Sequence, residues 1–137
     1  MGRQSKVSKI YVHHSASPKA STDAARIRRW HIDRGWNDIG YHWVIEHDGK
    51  IVKGREENVV GAHVKGHNRN TLGICVCGNF ENEQPNPIQW TLLCCMLQYL
   101  MYKYKLTKED ISYHKATAAT ACPGKNLITK LKEWLQE

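Results

Sequence analysis

Three sets of side chains in this sequence have the types and spacing to hold a metal ion: an imidazole at His114, a thiol at Cys122, and the adjacent imidazoles of His13 and His14. His114 closes the run ISYH, and Cys122 follows eight residues later, directly before Pro123-Gly124. The loop between them can curl back and present a nitrogen and a sulfur to one point. Zinc accepts both donors in a tetrahedral arrangement, and three protein ligands leave the fourth position to water, which separates a catalytic site from a closed structural one. The third ligand should come from another strand end, and His13 and His14 both qualify. Spacing also leaves open a Cys122 that is a small buried apolar side chain and a His13-His14 pair that is a polar strand end. Eight histidines in 137 residues is a high count. Several fall at strand ends or in loops, although no single histidine makes a ligand by itself.

Such groups need rigid elements to carry them. The segment KIYVHH reads as a short buried strand behind a basic tail of about eight residues expected to be mobile. After a turn at Pro18, Ser21 or Thr22 can cap a helix running to about residue 34, with Ile27, Trp30 and His31 on its core face and Gly35 stopping it. The run YHWVIEHDGKIVKGR alternates strongly around Asp48-Gly49, a hairpin signal. That alternation sets Tyr41, Trp43 and Ile45 on one face and His42, Val44 and Glu46 on the other. A loop, GAHVKGHNRN, leads into an apolar strand over residues 71–77. Asn86-Pro87 opens a helix to about residue 105, with Ile88, Leu92, Cys95, Tyr99 and Tyr102 as its buried stripe. A strand over residues 111–114, the loop KATAATACPG and a helix with Leu127, Leu131, Trp134 and Leu135 on one face complete the chain. The expected architecture is α/β: one domain over residues 1–137, a central mixed sheet flanked by about three helices.

Composition narrows the class. A chain of 137 residues, 41% hydrophobic, suits one domain with a real core. No run approaches the roughly 18 apolar residues of a membrane span, and no apolar stretch follows the basic start as in a signal peptide, so the expectation is a soluble protein, cytoplasmic where it is made. Twenty Lys and Arg against 13 acids give +7, dispersed along the chain, which favours a polyanionic partner. Nucleic acid is disfavoured by the lack of a helix-turn-helix cue, zinc-finger spacing or a basic stripe interleaved with aromatics. Five cysteines, an odd number with neither Cys75/Cys77 nor Cys94/Cys95 placed for a local bridge, suggest a reducing compartment. The four other than Cys122 read as small buried apolar groups.

The segments VHHSAS (12–17), RRWHIDRGWNDIGYHWVIEHDGKIVKGR (28–55), GAHVKGHNRNTLGI (61–74) and YHKATAATACPG (113–124) together resemble the type 2 N-acetylmuramoyl-L-alanine amidases, a group that includes small phage lysozymes of the amidase type and the peptidoglycan recognition proteins. The likeness runs in order from about residue 9 to 135. It implies one zinc on His13, His114 and Cys122, with His14 a neighbour of the metal and grouped with the substrate contacts. It places the family's catalytic tyrosine at Tyr41, where a phenol can hydrogen-bond the attacking water or the developing oxyanion. Two positions before the cysteine, where some phage members carry lysine and active recognition-type amidases threonine, this chain has Thr120. Further substrate contacts are implied at Trp36, Trp43, Arg55, His63 and Asn68, although Trp43 can equally be core beneath the site.

The reaction implied is metal-assisted hydrolysis of the amide joining the lactyl group of N-acetylmuramic acid to L-alanine of the stem peptide, by a monomeric phage or prophage endolysin acting on peptidoglycan or muropeptides. The competing readings are a peptidoglycan-binding module without catalysis, against which Cys122 and Tyr41 both speak, and a cytosolic amidase that recycles wall fragments.

Overall fold

Strands form where β-branched and aromatic residues run together, and the chain assembles them into one sheet. The computed structural model describes residues 2–137. Its strands are β1 (Lys9–His14), β2 (Trp43–Ile45), β3 (Ile51–Lys53), β4 (Thr71–Val76) and β5 (Ile111–Tyr113), in the order β3-β2-β4-β1-β5. The strands β2, β4, β1 and β5 are parallel, and β3 closes one edge antiparallel across the hairpin that Asp48-Gly49 turns. Parallel neighbours require crossovers. Helix α1 (Ala24–Asp33) spans from β1 to β2 and α2 (Pro87–Tyr104) from β4 to β5, while α3 (Lys125–Leu135) ends the chain.

Period-two alternation divides the sheet into two unlike faces. Ile10, Val12, Ile45, Leu72, Ile74 and Val76 pack against Leu93, Leu97 and Leu100 of α2 and Leu127 and Leu131 of α3 in the larger core. On the other face α1 contributes Ala24 and Ile27 to a smaller cluster with Ile39, Val44, Cys75 and Cys77. This mixed sheet between three helices is the α/β architecture expected.

Several local readings change. Asp23 caps α1, its side chain accepting the Arg26 N–H at 2.8 Å, so Ser21 and Thr22 fall short of the helix. Ala24, Ile27 and His31 form the buried face of α1, whereas Trp30 is 37% exposed. Helix α2 begins at Asn86-Pro87 as expected, with a reciprocal capping box to Gln89, and stops at Lys105 in the left-handed region. Its buried residues, however, are Gln89, Leu93, Met96, Leu97 and Leu100. Of the expected stripe, Ile88, Cys95, Tyr99 and Tyr102 turn outward, with Tyr102 87% exposed, and Leu92 is half-buried at the edge of the core. Because α2 is apolar nearly all round, spacing alone could not choose between its faces. Cys95 is accordingly exposed and Cys94 half-buried, while Cys75 and Cys77 are buried as read.

The expected mobile tail is docked. The Gln4 amide donates to the carbonyls of Glu57 and Thr71 and accepts the Thr71 N–H, and Val7 joins the core. No described helix is long and apolar enough to cross a membrane.

Candidate metal centre and its groove

Strands β1 and β5 pair with Val12 opposite Tyr113, so the next residue of each, His13 and His114, emerges side by side at the carboxyl ends of the parallel strands, with ring centroids 5.0 Å apart. That end of an open α/β sheet is where such folds present their chemistry. The loop after His114 doubles back through a Lys115 N–H donated to the Cys122 carbonyl at 2.8 Å. It seats Cys122 Sγ 3.3 Å from the backbone nitrogen of His14. Ligand atoms of His13, His114 and Cys122 all lie within 4.8 Å of one another, the one such group among the described residues.

The separations and protonation states suit a cation. His13 Nδ1 and Cys122 Sγ are 3.6 Å apart. On a tetrahedral zinc with Zn–N near 2.05 Å and Zn–S near 2.3 Å, the two donors would be about 3.5 Å apart. Burial, helped by the imidazoles of His63, His114 and His14, holds His13 well below the usual histidine range, and burial lowers His114 as well. Both rings are thus neutral and able to ligate. Burial pushes the Cys122 thiol up to about 12, only partly offset by the His14 N–H. A divalent cation beside it would reverse that balance and deprotonate the sulfur. The three residues therefore fit one zinc ion.

Around these donors the neighbours are closely fixed. His63 Nδ1 lies 3.0 Å from His13 Nε2, and its ring rests on the bare Cα of Gly73, where a Cβ would stand 2.6 Å from His63 Cγ. Asn68 Oδ1 accepts the N–H groups of His63 and Val64 at 2.8 and 2.9 Å. Burial is the main cause that takes His63 down to about 3, with nearby His42, His114 and Arg55 adding to it. The Tyr41 ring sits 5.1 Å from that of His13 and 5.5 Å from that of His31. Burial, with the sulfurs of Cys75 and Cys122 beside it, holds the Tyr41 phenol well above its ordinary value. Thr120 Oγ1 accepts the Cys122 N–H at 3.2 Å.

Tyr41 does not share a face with Trp43. Strand β2 begins only at Trp43, so the period-two pattern does not reach back to Tyr41, which packs beside the Val44, Cys75 and Cys77 cluster.

A groove of about 370 Å³ opens beside the donors, lined by Trp36, Ala62, His63, Val64, Lys65, Asn68 and His114. Of the expected substrate contacts it contains Trp36, His63 and Asn68. Three others lie elsewhere. His14, next to His13 in a strand, points to the opposite face, where its Nδ1 accepts the Phe80 N–H at 3.1 Å. Arg55 is buried, donating Nε to the Ile39 carbonyl and Nη1 to that of Val60, so it pins two loops together. Trp43 donates Nε1 to Glu57 at 2.8 Å and lines a separate cavity of about 730 Å³ with Lys53, Tyr99 and Lys103.

Sequence reasoning missed Lys65 on the groove wall and the supports His31 and Thr71. His31 Nδ1 accepts the Gly40 N–H at 2.9 Å, and its ring lies 4.6 Å from that of Trp36. Its signal was a histidine on the core face of α1, a position that costs stability unless the ring has a partner.

A family profile described as N-acetylmuramoyl-L-alanine amidase matches residues 3–125. The endolysin of Escherichia phage T7 is 35% identical over 134 residues, covering 93% of this chain and 85% of that protein. Peptidoglycan-recognition protein SC2 of Drosophila melanogaster is 33% identical over 131 residues, covering 90% and 71%. Among solved structures, the N-acetylmuramoyl-L-alanine amidase LysC from Clostridium intestinale superposes with a TM-score of 0.86 at 39% identity, covering 96% of this chain and 86% of that one.

Proposed function

Because the chain belongs to the N-acetylmuramoyl-L-alanine amidase family, we propose that it is an endolysin-type peptidoglycan amidase that holds one zinc on His13, His114 and Cys122 and cuts the bond between the lactyl group of N-acetylmuramic acid and L-alanine. The observation that carries this reading is the convergence of those three donors, within 4.8 Å, at one end of an open groove. When bound, zinc would supply Lewis-acid polarisation of the scissile carbonyl and would lower the pKa of an attacking water from 15.7 to about 7.

The remaining work falls to the chain's own groups. Tyr41, its pKa raised by burial, keeps its proton at neutral pH and donates it as a hydrogen bond to the carbonyl oxygen as charge develops there. The Thr120 oxygen is engaged by the Cys122 N–H, which leaves its own proton free as a second donor. Asn68 has both N–H contacts on its Oδ1, so its NH₂ is the part left for a ligand. Trp36 offers a flat apolar wall for a sugar ring or peptide, and Lys65 a cation for stem-peptide carboxylates. The +7 charge favours approach of one monomeric copy to an anionic wall.

Digestion of purified sacculi tests this. The expected products carry new free alanine amino groups with no new reducing sugar ends, and chelation abolishes their release until zinc is returned. New reducing ends, or activity indifferent to chelation, would overturn it.

A further inference from the structure

Two backbone carbonyls behind the site set the direction of a hydrogen-bond chain that ends on a metal ligand. Thr71 Oγ1 lies 2.8 Å from the His67 carbonyl oxygen and 3.0 Å from that of Asn68. A carbonyl only accepts, so the single hydroxyl proton of Thr71 goes to this pair and its oxygen is left to accept. His63 Nε2, 3.2 Å from that oxygen, must therefore carry a proton and donate it. A neutral imidazole carries one proton, which leaves His63 Nδ1 bare. Facing it at 3.0 Å is His13 Nε2, which must supply the proton of that bond. His13 Nδ1 is then the unprotonated nitrogen, and it is the one turned toward Cys122 Sγ, 3.6 Å away.

We propose that Thr71 and His63 are positioning residues that lock His13 into its Nε2–H tautomer and present the Nδ1 lone pair to zinc. The proposal rests on the zinc reading of the preceding section, and it moves His63 from the substrate wall to the support of the metal. The surroundings leave the His63 ring little freedom. Gly73 offers no Cβ beneath it, the His42 ring meets it edge-on at 5.8 Å, and Asn68 holds its backbone N–H. Groups that orient metal-bound histidines in this way are worth about 10–100-fold in metal affinity.

Two measurements test it on the full chain. Ring-nitrogen NMR of the metal-free protein reads the tautomer of His13, and competition with a chromophoric chelator reads zinc affinity. The wild type should carry the His13 proton on Nε2. Thr71→Val, which keeps the side-chain shape but removes the acceptor, should mix the two tautomers and weaken zinc about 10-fold, and Thr71→Ser should restore both. His63→Ala should weaken zinc by about 10–100-fold and reads the chain from its middle should Thr71→Val fail to fold. A His13 proton found on Nδ1 in the wild type, or folded variants binding zinc as tightly as wild type, would overturn the proposal. A wild type that takes up no zinc would overturn the metal reading instead, while the ring spectrum would still decide the tautomer.

Discussion

A phenol is protonated in neutral solution, and burial holds that of Tyr41 further above its ordinary value, so in the proposed reaction Tyr41 acts as a donor and not as a base. Tyr41→Phe removes one hydroxyl and leaves the ring against His13 and His31, so zinc content and melting temperature should stay near wild type. Turnover of a muropeptide should fall about 100- to 1,000-fold, the usual cost of one oxyanion donor. A loss confined to KM would refute a transition-state role. Cys122→Ser differs in kind: it replaces a soft sulfur donor with a hydroxyl that stays protonated, so zinc measured by atomic absorption should be lost together with activity. At this scale the sequence was informative where chemistry depends on local spacing. The pairing of His114 with Cys122 was legible from a single loop, and the structure brings their donor atoms together, whereas adjacency left His13 and His14 equivalent until the strand sent them to opposite faces. Arg55 was not placed by spacing because a long side chain ends wherever a tertiary partner holds it, here the Val60 and Ile39 carbonyls, whereas Trp43 packs against the larger core and donates to the Glu57 carboxylate, in keeping with the core alternative that the sequence allowed.

Helix α2 shows what an element conceals. Its ends were legible because Asn86, Pro87 and Gln89 act within one turn, but its buried face depends on the sheet beneath, which local sequence does not describe. The structure gives the two candidate faces opposite sensitivities. Leu97→Ala empties fully buried volume and should cost about 2–5 kcal/mol. Tyr102→Ala on the outward stripe should stay within about 0.5 kcal/mol. Denaturant unfolding of the pair decides between the faces, and a Tyr102→Ala loss as large as that of Leu97→Ala would restore the stripe that spacing suggested. The hairpin, by contrast, was legible in full, since Asp48-Gly49 and the alternation around it are local. The alternation failed only ahead of the first residue of β2, where the consecutive N–H groups of Gly54 and Arg55 donate to the carbonyls of His42 and Tyr41 and the regular register ends.

For the whole molecule, the sequence announced many histidines but not that burial keeps several of them neutral, because burial is a property of the assembled fold. His31 is one such case away from the candidate metal centre. Burial first, then the charges of Arg34 and Arg55, lower it from 6.5 to about 4, and burial lowers His42 in the same direction. Between those two values the unfolded chain binds a proton that the folded chain refuses. Stability from this source is therefore complete above about pH 6.5 and is lost as the pH falls toward 4, with a limiting slope of about 1.4 kcal/mol per pH unit for each such histidine. The metal-free protein should accordingly hold a steady unfolding free energy near neutrality and lose it progressively in mild acid. His31→Asn keeps an acceptor for the Gly40 N–H but removes the titrating ring. Its slope across this window should be shallower by close to one proton, measured by denaturant unfolding in the presence of chelator. An unchanged slope would mean that His31 titrates alike in both states and that its burial does not govern its charge.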